Sequence, residues 1–193
     1  MDEITPMTQE FDSQTILVEP ARPDDAEAVF NVQRLTWFDT YPNEEAGITK
    51  EDIRMRLEGE HGELIPKKIE QWRKIIETAG NEGAAFVVRD SSKVVGFVTP
   101  AITNGRRRIG ALYVLPEFQG KGIGSKLLEK AIEWHGRSED IFLQVASYNQ
   151  NAIDFYKSHG FEGTGRVVTD ELAHRAGSKA IPEIEMVLKA KPN

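Results

Sequence analysis

The stretch from Ile109 to Ser125 reads IGALYVLPEFQGKGIGS, and it decides the fold of this chain. Its first part is apolar and contains β-branched and aromatic residues, which predicts a strand over Ile109–Leu115 that Pro116 ends. The glycines that follow predict a loop and then the start of a helix. The first turn of a helix has unpaired N–H groups and a positive dipole end. A glycine-rich loop at that position lets backbone amides close on an anion such as phosphate.

Two other kinds of glycine loop do not fit this spacing. A P-loop ends in Gly-Lys-Ser/Thr, whereas Lys121 stands between two glycines. A dinucleotide fingerprint needs a third glycine where this chain has Ser125, and an acid at the end of the next strand, whereas Asp140 precedes that strand. The remaining alternative is a loop whose glycines only permit a tight turn.

Two blocks of sequence resemble the GNAT superfamily of acetyl-CoA-dependent N-acetyltransferases. The first is Gln119-x-x-Gly122-x-Gly124 after a strand ending Leu112-Tyr113-Val114-x-Pro116, and it is similar to the acetyl-CoA-binding motif of that family. The second begins about 25 residues later and reads Asn149-x-x-Ala152-x-x-Phe155-Tyr156-x-x-x-Gly160-Phe161. The resemblance is firm from about Val94 to Phe161 and fainter from Thr15 to Val88.

The resemblance implies a set of residues that bind acetyl-CoA. They are Leu112, Tyr113, Val114, Gln119, Gly120, Lys121, Gly122, Ile123, Gly124, Ser125, Asn149, Ala152 and Tyr156. Val114 is equivalent to the backbone donor that stabilises the oxyanion, and Tyr156 to the acid that protonates the departing thiolate. Without the resemblance, Tyr156 would be interpreted as a core tyrosine beside Phe155. Asn149 would bind the pantetheine amides or nearby backbone, and it also suits a helix N-cap.

The resemblance and the hydrophobic pattern together predict an α/β fold. We expect a mixed, mostly antiparallel sheet with helices on both faces, and a parallel pair of strands that splays apart around the pantetheine arm. Residues 1–14 are expected to be a loose leader, and residues 15–193 a single domain. No internal repeat is visible in the sequence.

The pattern also places the individual elements. Strands are predicted at Thr15–Glu19, Ala84–Arg89, Val94–Ile102, Ile109–Leu115, Ile141–Val145, Phe161–Val168 and Ile184–Leu188. Helices are predicted from Pro23 to about Asp39, after Thr49, over Ile65–Ala79, after the glycine loop to near Gly136, and after Asn149. Asn104-Gly105 predicts a tight hairpin turn. The run Arg106–Arg108 is interpreted as solvated turn residues, too far from the loop to bind phosphate.

Composition limits the class of protein. The chain has 193 residues, enough for one sizeable core, and it contains no cysteine, which excludes disulfides, thiolate metal sites and cysteine nucleophiles. No apolar run approaches the roughly 20 residues of a membrane span, so a cytoplasmic protein is expected. A net charge of −7 and a pI near 5.2 disfavour nucleic acid and favour cationic small partners. We expect no metal.

The general base is the part of the reaction that the sequence leaves open. An alkyl ammonium has a pKa of about 10.4, so a base or a water relay must deprotonate the acceptor amine. Many relatives place a glutamate on the motif strand, but this strand contains no acid. The acidic residues that could approach the site are Glu44, Glu45, Asp170, Glu183 and Glu185, although each by itself is typical of surface charge. The histidines His61, His135, His159 and His174 have no partner at a meaningful spacing.

Three function classes remain open at this point. The first is acetyl transfer to an amine of a small molecule or a protein, with an acceptor that carries additional positive charge or a polar tail. The second is a non-catalytic module that binds acyl-CoA. The third is the transfer of another acyl group, such as succinyl. A homodimer is compatible with all three classes.

Overall fold

The computed structural model describes residues 16–169 and 179–191, which form an open seven-stranded sheet with helices on both faces. The strands are β1 (Val18–Pro20), β2 (Phe86–Asp90), β3 (Lys93–Thr103), β4 (Arg106–Val114), β5 (Ile141–Ala146), β6 (Glu162–Thr169) and β7 (Pro182–Leu188). The α-helices are α1 (Ala26–Thr40), α2 (Lys50–Leu57), α3 (Ile65–Glu77), α4 (Ile123–His135) and α5 (Gln150–Ser158). The expected leader, residues 1–14, lies outside the described residues, as do Asp170 and His174.

The order of strands across the sheet is β1-β2-β3-β4-β5-β7-β6. Strands β4 and β5 are parallel, and each of the other neighbouring pairs is antiparallel. The predicted class, a mixed and mostly antiparallel sheet with one parallel pair, is therefore confirmed. The first strand is shorter than predicted and begins at Val18, because only Val18, Glu19 and Pro20 pair with β2.

The turn between β3 and β4 is the tight hairpin that the sequence predicts. Asn104 and Gly105 both have positive φ, 52° and 73°, and Thr103 pairs with Arg106 across the turn. Two central residues with positive φ match the right-handed twist of the flanking strands. Because the turn has only these two residues, Arg106 already belongs to β4.

The interpretation of Arg106–Arg108 as solvated turn residues is therefore wrong. The guanidinium of Arg106 lies 3.8 Å above the ring of Phe142, and its Nη1 is 3.2 Å from Oε2 of Glu185, a residue that is only 4% exposed. Arg107 donates to the carbonyl of His135 and pairs with a glutamate after α4. These arginines fix the ends of the sheet and of α4.

Gly110 is the residue at which β4 changes direction. Thr99 of β3 pairs with Ala111, whereas Pro100 pairs with Ile109, so Gly110 is an extra residue in β4. A β-bulge bends the strand that contains it and increases its twist. Strand β4 pairs with β5 over only three residues, the last of which is Ile109. The two parallel strands separate at the bulge, which confirms the predicted splay.

The core lies between the sheet and its two layers of helices. On one face, Phe97 of β3 packs edge-on against Trp72 of α3, with ring centroids 5.0 Å apart. On the other face, Gly96 lies against Leu127 of α4, where an added Cβ would come within 3.1 Å of Leu127 Cδ1. Phe97 and Leu127 are both fully buried. The sheet thus holds α4 on one side and α1 and α3 on the other.

Helix α2, which the sequence predicts after Thr49, begins with a capping box formed by Thr49 and Asp52. The amide of Asp52 donates to Thr49 Oγ1 at 3.1 Å, and the amide of Thr49 donates to Asp52 Oδ2 at 2.8 Å. Two amides at the start of the helix are satisfied reciprocally. The start of α2 is thus an example of a capped helix, with which the starts of the two helices at the cleft can be compared.

Candidate functional site

The separation of β4 and β5 opens a cleft of about 900 Å³. Most of the residues expected from the sequence line it: Leu112, Tyr113, Val114, Gln119, Gly120, Gly122, Gly124, Ser125, Asn149, Ala152 and Tyr156. Two of the expected residues do not. Ile123 is buried in the core with 1% exposure, and the Lys121 ammonium lies 4.9 Å from the centroid of the Phe118 ring. The cleft therefore runs from the glycine loop to the start of α5.

The N-terminus of α4 meets the cleft without a side-chain cap. Its N-cap is Gly122, in the left-handed region with φ 85°, and Gly120 before it has φ 74°. Among the residues that the structure describes, the first amide of α4 with a backbone acceptor is that of Lys126, which donates to Gly122 O at 3.1 Å. The amides of the preceding turn have no acceptor within the helix. Such a turn suits an anionic group.

Gln119 holds the glycine loop against β4. Its Nε2 donates to the carbonyl of Val114 at 3.0 Å, and Thr36 of α1 donates to the same carbonyl at 3.4 Å. The side chain of Gln119 is therefore engaged with the protein's own backbone. It fixes the position of the loop relative to the end of the strand.

Helix α5 begins with a side-chain cap. Oδ1 of Asn149 accepts a hydrogen bond from the amide of Ala152 at 3.1 Å. The N-cap role that the sequence suggested for Asn149 is thus present in the structure. Its Nδ2 group could donate to a ligand in the cleft, and Oδ1 could accept one further hydrogen bond.

Tyr156 stands on the buried side of α5, where it lines the cleft at 8% exposure. Its ring packs edge-on against Phe155 and Phe161, with centroids 5.2 and 5.7 Å away. Burial raises the pKa of the Tyr156 phenol well above its ordinary value, and neighbouring Tyr113 raises it further. The phenol therefore stays protonated and can act as a proton donor at neutral pH.

A sequence model of the acetyltransferase (GNAT) family matches residues 28–161, well over half of the chain. The chain belongs to the GNAT acetyltransferase family. The recognition of the family from two sequence blocks is therefore confirmed.

Curated relatives of this GNAT chain carry acetyltransferase names. An uncharacterized N-acetyltransferase from Methanocaldococcus jannaschii is 40% identical over 92 residues, with coverage of 42% of this chain and 40% of that protein. The peptidyl-lysine N-acetyltransferase YjaB from Salmonella typhimurium is 34% identical over 85 residues, with coverage of 44% and 54%. The chain spans about half the length of the curated relatives it matches.

Solved GNAT structures share the fold over nearly the whole chain. The PaiA N-acetyltransferase from Thermoplasma acidophilum, crystallised with coenzyme A, has a TM-score of 0.62 and 22% identity, with coverage of 92% of this chain and 99% of that one. The solution structure of YjaB from Escherichia coli has a TM-score of 0.61 and 20% identity, with coverage of 92% and 99%. At these identities the likeness shows the fold alone.

A second cavity of about 350 Å³ lies on the α1 and α3 side of β4. It shares Tyr41, Gly110, Ala111 and Tyr113 with the main cleft. Its remaining walls are Gln33, Trp37, Arg56, Trp72, Ile75, Thr99, Ile181 and Glu183. The hydroxyls of Tyr41 and Tyr113 are 3.3 Å apart where the two spaces meet, and burial raises the pKa of each. A group in the second cavity would thus approach the cleft beside two protonated phenols.

The candidate bases have different environments. Glu183 is half-buried and lines the second cavity. Glu185, two residues later on β7, is buried beside Arg106, so its interpretation as surface charge is wrong. Glu44 and Glu45 are exposed. Among the acids that the structure describes from the predicted set, Glu183 has the position that suits a base.

Two histidines have partners that sequence spacing did not reveal. His135 is 3% exposed with Nε2 2.9 Å from the Arg108 carbonyl, and burial lowers its pKa. His159 Nε2 is 3.1 Å from Oγ of Ser125, which lies 34 residues earlier on α4. No local pattern could have indicated the second contact, because it depends on how α4 and α5 pack.

Over the two described ranges, 16–169 and 179–191, no group of three or more His, Asp and Glu side chains could hold a metal ion. In the same ranges, no helix is long and apolar enough to cross a membrane.

Proposed function

We propose that this protein transfers the acetyl group of acetyl-CoA directly to an amine. The observation that carries the proposal is the pairing of an uncapped glycine helix start with a buried, protonated phenol in one cleft. Acetyl-CoA supplies the acetyl thioester. The chain supplies the anion site, the proton donor and the approach for the amine.

The amides of the first turn of α4 bind the pyrophosphate in this proposal. Gly120 and Gly122 give the backbone its left-handed turns and leave no side chain between those amides and the ligand. The edge of β4 over Leu112–Val114, which β5 does not pair, accepts the pantetheine arm. The Val114 amide is the donor that stabilises the oxyanion.

Tyr156 protonates the departing thiolate. Tyr156 lines the cleft, and its raised pKa keeps the phenol proton available. Protonation of a thiolate in the transition state is general acid catalysis, which contributes typically about 10²–10⁴-fold.

The amine enters from the second cavity, where the Glu183 carboxylate forms an ion pair with its ammonium group. Trp72 and the two tyrosines give this cavity aromatic walls, which attract ammonium groups by cation–π interaction, whereas the Trp37 ring already has the Arg56 guanidinium 5.3 Å from its centroid. A carboxylate beside an ammonium stabilises the charged substrate and then offers a base, directly or through water. This arrangement favours a primary amine with additional positive charge or a polar tail over a neutral amine. Arg56 on the same wall sets a limit on how much positive charge the cavity accepts.

The test is an amine panel with acetyl-CoA, read as release of the free thiol. The panel contains polyamines, amino acids, aminoglycosides, lysine peptides and peptides with free N-termini. We expect turnover with a cationic amine and a rate that falls as salt is added, because screening weakens electrostatic capture. A best substrate that is neutral or anionic, without salt dependence, would contradict the cationic acceptor. No thiol release with any amine would favour a binding module, and faster release from succinyl-CoA would favour another acyl donor.

Glu183→Gln isolates the role of the carboxylate. We expect kcat/KM for the best amine to fall at least about tenfold, with the KM for acetyl-CoA nearly unchanged. Glu44→Gln removes an exposed glutamate with the same change in charge, and it should retain the wild-type rate. Equal losses in the two variants would mean that net charge, and not the position of Glu183, determines the rate.

A further inference from the structure

The imidazole of His135 joins the end of α4 to the beginning of β4. His135 is the last residue of α4 and is only 3% exposed. Its Nε2 lies 2.9 Å from the carbonyl oxygen of Arg108. In the opposite direction, the guanidinium of Arg107 donates to the backbone carbonyl of His135. Two neighbouring residues of β4 therefore hold one helix residue, and these two hydrogen bonds are called the α4–β4 contact below.

The α4–β4 contact lies at the closed end of the cleft. Strand β4 pairs with β5 over only three residues, and two of them are Arg107 and Arg108. The third is Ile109, after which the bulge at Gly110 separates the two strands. The end of α4 is therefore fixed to the short stretch of β4 that keeps the parallel strands together.

The carbonyl of Arg108 determines which nitrogen of the neutral His135 ring carries the hydrogen. A carbonyl can only accept, so Nε2 must donate and Nδ1 has only its lone pair. Nδ1 is buried and has no hydrogen-bond partner among the residues that the structure describes. A second proton would make Nδ1 a buried N–H donor without an acceptor, on a ring that also carries a charge. Such a group is costly in a protein interior.

The charges around the α4–β4 contact also oppose a protonated ring. Strand β4 carries three arginines here, Arg106–Arg108, and the guanidinium of Arg107 is held at the His135 carbonyl. Burial lowers the pKa of His135, and the charge of Arg107 lowers it further, although the bond to the Arg108 carbonyl acts in the opposite direction. The other charged groups of the elements that meet here have partners of their own: Glu133 with Lys130, Glu139 with Arg107, Asp140 with Lys189, Glu185 with Arg106, and Arg137 with the carbonyl of Lys189.

We infer that the α4–β4 contact is an acid-sensitive device, which His135 keeps closed while its ring is neutral and opens when the ring is protonated. Below the ordinary histidine pKa of about 6.5, an imidazole in water binds a proton, whereas the buried ring resists one. Acid therefore favours a state in which His135 has left its buried position. The stability that the contact contributes is fully present above about pH 6.5 and is lost as the pH falls. The inference concerns the fold and does not depend on acetyl transfer.

Denaturant unfolding of the full chain at about pH 7.5 and about pH 5.5 tests the inference. Between these pH values, the unfolding equilibrium constant of the wild type should rise about five- to tenfold more than that of His135→Gln. Glutamine retains an N–H donor for the Arg108 carbonyl but does not titrate. His61→Asn removes an exposed histidine and should behave as the wild type. An equal pH dependence in the wild type and His135→Gln would overturn the inference.

Hydrogen exchange of the backbone amides at about pH 5.5 locates the opening. The wild type should exchange faster than His135→Gln in the last turn of α4 and at the β4–β5 pairing, but not in α1 or α3. A uniform difference over the whole chain would mean that His135 stabilises the domain as a unit, and it would overturn the assignment to the α4–β4 contact.

A measurement on the wild type alone covers the case in which His135→Gln does not fold. The ring ¹⁵N resonances of His135, followed as the pH is lowered, give the pKa of this residue in the folded protein. We expect a pKa below the ordinary value of about 6.5, and a pKa at or above that value would overturn the inference. None of these measurements uses acetyl-CoA, so an outcome here leaves the proposed acetyl transfer to be decided by its own test.

Discussion

Helices α4 and α5 both begin at the cleft, but they begin in opposite ways. Helix α4 starts at a left-handed glycine without a side-chain cap, whereas α5 starts at Asn149, whose Oδ1 accepts from the amide of Ala152. The first turn of α5 is thus partly satisfied by its own chain, in the same way as Thr49 satisfies α2. The first turn of α4 has no side-chain cap among the described residues, and we propose that it binds the ligand. In the proposed function, α4 binds the anionic part of acetyl-CoA, whereas α5 holds Tyr156, the proposed proton donor.

The largest effect is expected at Tyr156 on α5, the proposed proton donor. Tyr156→Phe keeps the ring and its contacts with Phe155 and Phe161, so the protein should remain folded. If the hydroxyl protonates the thiolate, single-turnover acetyl transfer should fall about 10²-fold or more, while acetyl-CoA affinity by calorimetry changes little. Equal single-turnover rates would assign Tyr156 to the core and make water the proton source.

The second largest effect is expected at the glycines at the start of α4, the proposed anion site. Gly122→Val places a side chain at φ 85° where the amides approach the pyrophosphate, and it should weaken acetyl-CoA binding by about 2 kcal/mol or more. Gly124→Val should act similarly, because Gly124 lines the cleft in the first turn of α4: an added Cβ would make an ordinary contact 3.5 Å from the Phe155 ring, but the two further methyl groups of valine would crowd this turn. Turnover at saturating acetyl-CoA should fall less than affinity does.

Gly136→Val is the matched control at the other end of α4. Gly136 also has a positive φ, 69°, and an added Cβ there would meet no atom within 4 Å. This variant should lose stability through the same backbone strain and retain acetyl-CoA affinity. A folded Gly122→Val protein with unchanged affinity would contradict the assignment of α4 to the pyrophosphate.

The smallest expected effect concerns Asn149, the N-cap of α5. Asn149→Ala should lower the free energy of unfolding by about 1 kcal/mol, the usual cost of losing an N-cap. Thr49→Ala at α2 should cost a similar amount without altering acetyl-CoA affinity. Asn149→Asp keeps an oxygen for the cap and removes Nδ2. A loss of affinity in this variant that exceeds the loss in Gly122→Val would reverse the division of roles between the two helices.

The sequence predicted most of the fold because its signals are local. Asn104-Gly105 has the residue types that tolerate positive φ, and both adopt it. Thr49 and Asp52 form the capping box from three residues apart. Some strand ends differ from the prediction, such as the start of β1 at Val18. At these places, pairing with a strand far away in the sequence decides whether a residue belongs to the sheet.

The candidate site was predicted only in part. The glycine loop and the block from Asn149 to Phe161 are compact motifs, and the structure brings both to one cleft. The acceptor side has no such motif, because its walls come from α1, α2, α3, β3, β4 and β7. Glu183 and Glu185 are two residues apart and cannot be distinguished by pattern, yet one lines the second cavity and the other pairs with Arg106.

By itself, the sequence determined most of the elements and the glycine loop that suits an anion, since each depends on residues within about one turn or one strand of each other, and it determined the family through two such local motifs in the right order. The tertiary structure decided the rest. The bulge at Gly110 exists only because β3 places Thr99 and Pro100 opposite its neighbours, and that bulge separates β4 from β5. The contact between His159 and Ser125 likewise exists only because α4 and α5 pack together. Such contacts join residues far apart in the chain, and their geometry is set by the packing of whole elements, which no local pattern encodes.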